Sequence, residues 1–346
     1  MEDKGCFMDL KRIFAERISF VYGPSGSGKT VLVSEIVRQF ADEGRRVVWI
    51  SFNESRDVLV NMWKSFGWDV GRITVYDFPF VPQYRETLFN QVVDLAYKEK
   101  AEVLVVDGVD AVVFDRATAD ALSKVGLYST IGIDTKYNPL ADIADTIVRT
   151  SIKFIQSAAI RRLEIVKVRG MEVATPVYYL AVLPQGPVVL SRYPRHEPTR
   201  KIAAPGHLAN FIGEIYKGVQ IALYGPYQGV SARVVDVAEA VAYIHKPYQR
   251  DFFKRARTYL VSPQEHLRLE HYAVKHDAEY VVVLDAEVVP KFFREFRRPD
   301  VVWIDVYTTP PPMSDYDYIF YVSRETIRLE KSPEPTDVVG LPIALE

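Results

Sequence analysis

Residues 17–52 read RISFVYGPSGSGKTVLVSEIVRQFADEGRRVVWISF, and this run predicts a strand, a loop, a helix and a second strand. Arg17–Tyr22 is a short, mostly apolar segment, which is typical of a buried strand. Val31–Phe40 places its apolar side chains on one helical face, and Gly44 stands where a helix commonly ends. Val47–Phe52 is again apolar. Two strands joined by a helix predict a right-handed crossover onto a parallel sheet.

Apolar and helical segments continue to alternate through the first half of the chain. The last three predicted strands alternate apolar and polar residues, which favours antiparallel strands near a sheet edge. The sequence therefore predicts the α/β class with a mainly parallel sheet. The next predicted helix is Leu88–Tyr97, and the further predicted strands are Val103–Val106, Val125–Ile133, Thr146–Val148, Ile152–Ser157, Leu163–Val168 and Val177–Leu183.

The second half of the chain contains two weak echoes of the first. Ala222–Gly229 (ALYGPYQG) resembles Phe20–Ser27 (FVYGPSGS), and a helix is predicted after it at Ala232–Ile244. Ala278–Asp285 (AEYVVVLD) resembles Ala101–Asp107 (AEVLVVD). Two echoes in the same order favour an internal duplication.

We expect three parts along the chain. The first domain covers residues 1–194, and a polar segment with two prolines makes residues 195–215 a predicted linker. Residues 216–346 then form a second, smaller α/β domain. Its further predicted strands are Val301–Asp305 and Tyr318–Val322.

The composition is that of an ordinary globular protein. The chain has 346 residues, of which 48% are hydrophobic and 25% charged, enough for two sizeable cores. The single cysteine, Cys6, excludes an intrachain disulfide and a Cys-rich zinc site. No apolar run reaches the roughly 20 residues of a membrane helix, so we expect a soluble, cytoplasmic protein with no membrane contact. The 21 tyrosines and 21 prolines favour a thermophilic source.

A glycine-rich motif follows the first predicted strand. Gly23–Thr30 (GPSGSGKT) fits the pattern G-x-x-x-x-G-K-[ST] between a strand and a helix. Glycines let successive backbone N–H groups face phosphate oxygens, and the following helix adds partial positive charge. Lys29 is expected to reach the β- and γ-phosphates of ATP, and the Thr30 hydroxyl to bind Mg²⁺. The predicted nucleotide-binding residues are Gly23, Pro24, Ser25, Gly26, Ser27, Gly28, Lys29, Thr30 and Val31.

Two acidic positions follow predicted strands of the same sheet. Asp107 closes an apolar strand, where a carboxylate would bind Mg²⁺ through water. Asn53 and Glu54 follow the second strand, and ligands of α/β sheets bind beyond the carboxyl ends of strands. Glu54 is a candidate to orient or deprotonate water, since Asn53 cannot accept a proton. The simpler alternatives are a strand-ending turn residue for Asp107 and a solvated loop carboxylate for Glu54.

Lys167 and Arg169 alternate on one side of a late predicted strand. Two cations facing the same way suggest a phosphate clamp or arginine finger, acting within the chain or across a subunit interface. The spacing alone favours the simpler alternative, a solvated strand face.

Four segments together resemble the KaiC-like ATPases of the RecA superfamily, over roughly Ser19–Leu190. The P-loop is common to many nucleoside triphosphatases, whereas the Phe-Gly-Trp-Asp turn and the Lys-x-Arg-Gly element are more specific. The segments are GPSGSGKT (Gly23–Thr30), VVWISFNESRDVLVNMWKSFGWDV (Val47–Val70), VLVVDGVDAV (Val103–Val112) and ADTIVRTSIKFIQSAAIRRLEIVKVRGMEV (Ala144–Val173).

The resemblance implies a RecA-like P-loop core that binds ATP at the interfaces of a homo-oligomer, commonly a hexamer. It implies that Lys167 and Arg169 reach the γ-phosphate bound by the neighbouring subunit. One departure concerns catalysis. The family usually has two adjacent glutamates after the second strand, and here Asn53 replaces the first, which would make hydrolysis slow or absent if that glutamate is the base.

A second departure concerns the C-terminal domain. Ser231 and Ala232 stand where Lys29 and Thr30 stand in the first copy. We therefore expect a degenerate second domain without a functional P-loop.

Two basic segments with interleaved aromatics lie in that domain, at Lys246–Arg257 (KPYQRDFFKRAR) and Lys291–Arg298 (KFFREFRR). Such a composition suits contacts with single-stranded nucleic acid. The favoured interpretation is instead amphipathic helices, with the phenylalanines in the core and the cations outside. The net charge of −2 also argues against nucleic acid.

The favoured functional hypothesis is an oligomeric ATPase that drives a signalling or assembly switch with an unknown protein partner. The second hypothesis is a non-hydrolysing ATP sensor, motivated by Asn53. The third is a DNA-binding ATPase similar to recombinase paralogues, motivated by the two basic segments.

Overall fold

The computed structural model describes residues 10–155, 158–173, 176–190, 200–270, 278–333 and 340–342. The chain divides into two compact units, residues 1–191 and residues 192–346. Each unit contains one large β-sheet.

The first unit is built around a mainly parallel sheet. Among the described residues, its strands are β1 (Ile18–Tyr22), β2 (Val47–Ser51), β3 (Ile73–Asp77), β4 (Val103–Asp107), β5 (Ser129–Asp134), β6 (Thr146–Ile155), β7 (Ala158–Val168), β8 (Val177–Leu183) and β9 (Gly186–Leu190). Across the sheet their order is β3-β2-β4-β5-β1-β6-β7-β8-β9. Neighbouring strands from β3 to β6 run parallel, and those from β6 to β9 run antiparallel.

Helices lie between these strands. Among the described residues they are α1 (Leu10–Phe14), α2 (Lys29–Asp42), α3 (Arg56–Ser65), α4 (Arg85–Lys98), α5 (Arg116–Leu122) and α6 (Pro139–Ile143). Strands β2 and β4 are buried along their whole length, as a parallel sheet covered on both faces requires. The buried face of α2 joins one core, and that of α4 joins a separate core. The carboxyl ends of the parallel strands therefore meet at one edge of the sheet.

The predicted α/β class and the parallel arrangement of β1 and β2 are confirmed. The prediction of two separate strands, Thr146–Val148 and Ile152–Ser157, was wrong, because β6 runs unbroken from Thr146 to Ile155. Ser157 lies outside the described residues. Strand β3 was not predicted from the sequence. This edge strand has a single buried side chain, that of Val75, so its apolar pattern is weak.

The second unit repeats the same strand topology. Among the described residues, its strands are β10 (Lys201–Ala203), β11 (Glu214–Tyr216), β12 (Gln220–Tyr224), β13 (Ala240–Ile244), β14 (Arg257–Leu260), β15 (Tyr280–Val283), β16 (Val302–Tyr307), β17 (Tyr318–Val322), β18 (Thr326–Lys331) and β19 (Gly340–Pro342). β10 and β11 form a separate pair, and the large sheet has the order β14-β13-β15-β16-β12-β17-β18-β19.

Strands β12 to β19, in chain order, occupy the places that β1 to β8 occupy in the first sheet. Their directions also correspond: neighbours from β14 to β17 are parallel, and the two following pairs are antiparallel. The helices of this unit are shorter, and among the described residues they are α7 (Ala209–Ile212), α8 (Gln228–Val234), α9 (Pro263–His266) and α10 (Lys291–Arg294).

Two predictions for this part of the chain are corrected. The helix at Ala232–Ile244 was wrong, because α8 ends at Val234 and Ala240–Ile244 is the fully buried strand β13. A short apolar run fits either structure, and pairing with two neighbouring strands decides it. Within residues 195–215 the described part is folded rather than a linker: Leu208 and Phe211 are buried in the core of the second unit. Residues 195–199 lie outside the described part.

The two basic segments do not form the predicted amphipathic helices. Pro247–Phe252 is a 3₁₀ helix, and α10 has only four residues. Phe253 and Phe293 are buried as expected. The cations are not all outside, because the side chains of Arg294 and Arg297 are 10% and 2% exposed and form ion pairs with Asp305.

Across the described ranges, we find no helix with both the length and the apolar character needed to cross a membrane.

Candidate functional site

The loop between β1 and α2 has a backbone shape that favours glycine. Gly23, Gly26 and Gly28 have φ angles of +152°, +77° and +93°. A Cβ atom on Gly23 would lie 2.1 Å from the carbonyl oxygen of Thr150, in β6. A Cβ on Gly28 would lie 2.5 Å from Leu180 Cδ2. The loop is therefore pressed against neighbouring strands and its conformation is fixed.

The first amides of α2 are left open by this loop. Gly28 precedes the helix in the left-handed conformation, and no described side chain caps α2. An uncapped helix N-terminus with its partial positive charge is suited to an anion. Ser27 was predicted to bind the nucleotide, but its buried hydroxyl lies 2.6 Å from Pro24 O and 2.6 Å from Thr150 Oγ1. Its side chain holds the loop against β6, which leaves only its backbone for a ligand.

Lys29 is buried at the start of α2 and folds back over the loop. Its Nζ donates to the carbonyl oxygens of Gly23 at 2.8 Å and Pro24 at 3.1 Å. Burial lowers the pKa of this lysine, and the carboxylates of Asp107 and Asp134 oppose that shift. The cation thus lies at the mouth of the glycine-rich loop, within the field of two acids.

Asp107 ends β4, and its carboxylate contacts the hydroxyl of Thr30. Thr30 Oγ1 donates to Asp107 Oδ2 at 3.2 Å. Asn53 Nδ2 donates to the other oxygen, Oδ1, at 3.0 Å. Asp107 is 1% exposed. Burial raises the pKa of its carboxyl, and the two hydrogen bonds partly counteract that rise.

Glu54 is exposed and does not share this contact. Its backbone N–H donates to Ser51 Oγ at 2.9 Å, which fixes the turn after β2. Its carboxylate is close enough to raise the pKa of Asp107. The structure therefore brings Asn53, rather than Glu54, into contact with Asp107.

Lys167 and Arg169 lie near the amino ends of the parallel strands, whereas the loop lies at their carboxyl ends. β7 runs antiparallel to β6, and Lys167 pairs with Ile147, near the start of β6. Lys167 Nζ donates to Ala144 O at 2.7 Å, and Arg169 forms an ion pair with Asp145 at 2.9 Å. Both partners precede β6. The two cations thus point away from the glycine-rich loop of their own chain, which begins beyond the last residue of β1.

Two residues at the loop were missed by sequence analysis. Arg161, from the other end of β7, donates from Nε to Gly26 O at 3.1 Å. Asp134 ends β5, is 4% exposed, and accepts the backbone N–H of Gly23 at its carbonyl oxygen, at 3.2 Å. Asp134 closes an apolar segment just as Asp107 does, and that signal was present in the sequence. Nothing in the sequence pairs Arg161 with Gly26, because β7 reaches the loop only through the sheet.

The Asp134 carboxylate connects the loop to its surroundings. It accepts hydrogen bonds from the Asp110 backbone N–H at 3.1 Å, the Thr135 backbone N–H at 2.6 Å and Asn138 Nδ2 at 2.9 Å. Burial raises the pKa of Asp110, and the charge of Asp134 adds to that rise. This end of the sheet is rich in carboxylates, with Lys29 and Arg161 as the cations that contact the loop.

The donor set fits one hard cation. In the described ranges, no three His, Cys, Asp or Glu side chains are grouped to hold a metal ion. The Thr30 hydroxyl and the Asp107 carboxylate are oxygen donors beside an anion-binding loop. Mg²⁺ commonly takes one or two protein oxygens and completes its shell with water and phosphate oxygens. These two residues therefore fit Mg²⁺ carried by a nucleotide.

The corresponding place in the second unit has a different chemistry. Gly225 follows β12 as Gly23 follows β1, and its N–H donates to Tyr307 O, at the end of β16. Beyond it, Gln228 already begins α8, so an open loop is absent from this described segment. Ser231, at the position of Lys29, is buried with no hydrogen-bond partner for its hydroxyl. Pairing with β13 places Leu284, not Asp285, at the position of Asp107.

The fold and the site of the first unit define a class of protein. A glycine-rich loop follows the first strand of a parallel sheet, with a lysine and a threonine at the start of the next helix. A carboxylate ends β4, separated from β1 by one strand. This arrangement is that of a P-loop nucleoside triphosphatase domain.

Comparison with known proteins narrows the class. Residues 8–122 match the protein family described as ATPase: KaiC. Among curated proteins, Protein RecA of Nautilia profundicola is 33% identical over 95 residues. That similarity covers 28% of this chain and 25% of the relative, so the chain spans about a quarter of the relative's length. The family match lies within the first unit, and both similarities support a KaiC/RecA-like P-loop ATPase.

Proposed function

We propose that the first unit binds Mg²⁺·ATP through the segment Gly23–Val31 and hydrolyses it at the β–γ bond. The observation that carries this proposal is the 3.2 Å contact between Thr30 Oγ1 and Asp107 Oδ2, which joins residues 77 positions apart beside the open N-terminus of α2. A hydroxyl and a carboxylate placed together at an anion-binding loop are what a Mg²⁺–phosphate complex requires.

The roles follow from the positions. Backbone N–H groups of the loop and Lys29 would hold the phosphates, and Thr30 and Asp107 would hold Mg²⁺. Bound Mg²⁺ would neutralise charge on the β- and γ-phosphates. Glu54, exposed at the carboxyl end of β2, is the group proposed to orient water.

The charge balance supports a contribution from a second subunit. The nucleotide carries several negative charges into a site already containing Asp107, Asp134 and Asp110. Within the chain, Lys29 and Arg161 are the cations that contact the loop among the described residues. Lys167 and Arg169 face away from their own loop, and we propose that they approach the γ-phosphate of a neighbouring copy in a ring, such as the hexamer that the family resemblance implies.

The test is ATP turnover by the purified protein over a range of protein concentrations. We expect activity per chain to rise with concentration, because a site shared between subunits is complete only in the oligomer. Lys29→Ala should abolish turnover, whereas Lys98→Ala, which changes an exposed lysine at the end of α4, should not. Turnover that survives Lys29→Ala would contradict the proposal.

A second candidate function is an ATP-binding switch without turnover. The observation that favours it concerns Asn53, which stands where the family resemblance implies a glutamate and donates a hydrogen bond to Asp107. Binding without hydrolysis at any protein concentration would favour this candidate. Activity that appears in Asn53→Glu would then identify the missing base.

We also propose that each chain binds a single nucleotide. In the second unit Ser231 supplies no cation at the position of Lys29, and Ala232 and Leu284 supply no side-chain oxygen at the positions of Thr30 and Asp107. The backbone that would form the loop is already part of α8. Equilibrium binding of ATPγS with Mg²⁺ should give one site per chain for the native protein and none for Lys29→Ala. Residual binding in the variant would refute this.

Nucleic acid is not part of the proposal. One of the two basic segments that motivated it turns Arg294 and Arg297 inward to Asp305. Those two buried charges are not available to bind phosphates. Salt-sensitive binding of single-stranded DNA would reopen the question.

A further inference from the structure

Asn53 is bound to the carboxylate that the proposed site uses for Mg²⁺. Its amide donates to Asp107 Oδ1 at 3.0 Å, while Thr30 donates to Oδ2 at 3.2 Å. Each oxygen of the carboxylate thus has one side-chain donor, and the two donors come from different elements of the fold. Because Asp107 is 1% exposed, solvent does little to orient it, and these two hydrogen bonds fix its direction.

The backbone after Asp107 is shaped to admit this amide. Gly108 has a φ of +83°, and a Cβ atom there would lie 3.1 Å from Asn53 Nδ2. That separation is tighter than ordinary packing distances, so any larger residue would crowd the side chain of Asn53. A glycine at this position keeps the approach from β2 to the end of β4 open.

The second unit contains the same kind of arrangement built from other residues. Asp285 follows β15 and accepts hydrogen bonds from Gln228 Nε2 at 2.5 Å and Gln249 Nε2 at 2.9 Å. Gln228 begins the helix after the first strand of that sheet, and Gln249 follows the second strand, as Thr30 and Asn53 do in the first unit. Gln249 is fully buried.

The Asn53 amide could serve the chemistry of a nucleotide site, or it could orient the carboxylate. The second unit distinguishes these two roles. In the second unit a carboxylate is held between a helix donor and an amide although the P-loop lysine is absent. The arrangement therefore does not depend on a nucleotide site. An amide cannot take a proton from water. Its contribution in the first unit is therefore to geometry.

We propose that Asn53 is a positioning residue that holds Asp107 in the orientation needed for Mg²⁺ at the P-loop. The amide binds one carboxylate oxygen, and the other stays directed towards the Thr30 hydroxyl. This inference rests on the proposed Mg²⁺·ATP site. It assigns Asn53 a role of its own at that site rather than treating it as a lost glutamate.

The first test compares nucleotide affinity with and without Mg²⁺. ATPγS binding is measured for the native protein, Asn53→Leu, Asn53→Gln and the control Asn61→Leu, which changes an exposed asparagine of α3. Losing a hydrogen bond to a charged group should raise the Mg²⁺ concentration for half-saturation about tenfold in Asn53→Leu. Binding without Mg²⁺ should stay within about twofold, since the loop and Lys29 are untouched. Asn53→Gln keeps a donor and should recover part of the loss, and Asn61→Leu should match the native protein.

An unchanged Mg²⁺ requirement in Asn53→Leu would overturn the inference. So would an equal loss of affinity with and without Mg²⁺, because a purely structural defect weakens both.

The second test needs no nucleotide. A double-mutant cycle of Asn53→Leu and Asp107→Ala, followed by chemical denaturation, should show non-additive changes in the free energy of unfolding. Additive changes would refute the contact whatever the protein does with ATP. Coupling in a protein that binds no nucleotide under any condition would refute the proposed function, and the positioning role with it.

Discussion

At the scale of single residues, the loop after β1 lies so close to β6 that its conformation and the side chains it can carry are restricted. Gly23 lies against the backbone of Thr150, and Ser27 ties the loop to the hydroxyl of the same residue. The loop shape is thus imposed from outside the Gly23–Thr30 motif as well as by its glycines. A ligand meets a cradle whose backbone is already ordered, which reduces the entropy cost of binding.

Gly23→Ala should therefore destabilise the protein by about 2 kcal/mol or more, because the new Cβ overlaps a backbone oxygen that cannot move alone. Gly26→Ala is the matched control. It shares a positive φ, but nothing lies within 4 Å of its Cβ position, so about 1 kcal/mol of backbone strain is expected. Urea denaturation of both variants measures the difference, and equal losses would contradict the steric argument.

At the scale of elements, β16 shows how the packing of the two units differs although their strand topology is the same. Asp305 is fully buried on this strand and forms a bidentate ion pair with Arg297, at 2.7 and 2.9 Å. Register places Asp305 beside Ala222 of β12, where the first unit has Gly132 beside Phe20. In the first unit Leu140 of α6 packs closely on that glycine. At corresponding positions, the second unit therefore has a buried ion pair, whereas in the first unit helix α6 packs against the strand.

Tyrosines extend this network. Tyr316 donates to Asp305 Oδ2 at 2.5 Å, and its hydroxyl lies 2.5 Å from that of Tyr307. Burial, followed by the charge of Asp305, raises the pKa of Tyr307 to about 12. Burial also raises the pKa of the Tyr316 hydroxyl. Both hydroxyls therefore stay protonated at neutral pH and remain hydrogen-bond donors.

Arg297→Met should cost about 3–5 kcal/mol in the free energy of unfolding, because it leaves Asp305 charged, buried and without its main partner. Lys291→Met removes an ion pair with Asp315 whose lysine is 71% exposed, and a change below about 1 kcal/mol is expected. Thermal or chemical denaturation distinguishes the two. A small effect of Arg297→Met would mean that Tyr316 and Arg294 are sufficient partners for Asp305.

At the scale of the whole molecule, one strand topology occurs in both units. Among the described residues, the glycine-rich loop, its lysine and the carboxylate at the end of β4 lie in the first unit. The first copy places its Lys-x-Arg cations away from its own loop. Under the proposed function these cations would act on the loop of a neighbouring chain, so the site would be complete only in an assembly.

Mixing two inactive variants tests this directly. Lys29→Ala removes the loop lysine, and Arg169→Ala removes the cation proposed to act on a neighbour, so each should lose most of its turnover alone. In mixed oligomers some interfaces combine an intact loop with an intact Arg169, and ATPase activity should partly return. Arg169 is 62% exposed in its pair with Asp145, so its removal should leave stability within about 0.5 kcal/mol of native. Activity that does not return on mixing would contradict a shared site.

Much of the site was predictable because its parts are local in sequence. The loop shape depends on glycines at fixed spacing, and Lys29 and Thr30 follow directly from the start of α2. Asp107 was predictable because the ends of parallel strands meet at one edge. The α/β class followed from the alternation of apolar runs and helical faces. In the second half, β16 and β17 were predicted near their observed places.

The sequence by itself determined the class of fold, the glycine-rich loop and the strand ends from which its partners come, since all of these depend on short-range patterns. Tertiary structure alone decided that Asn53, not Glu54, contacts Asp107, that Arg161 reaches Gly26, and that Lys167 and Arg169 face away from their own loop. It also decided that Ala240–Ile244 is a strand and that Arg297 is buried. The reason is physical: these outcomes depend on strand order, register and pairing between distant segments, and local patterns of polarity carry no record of which segments become neighbours.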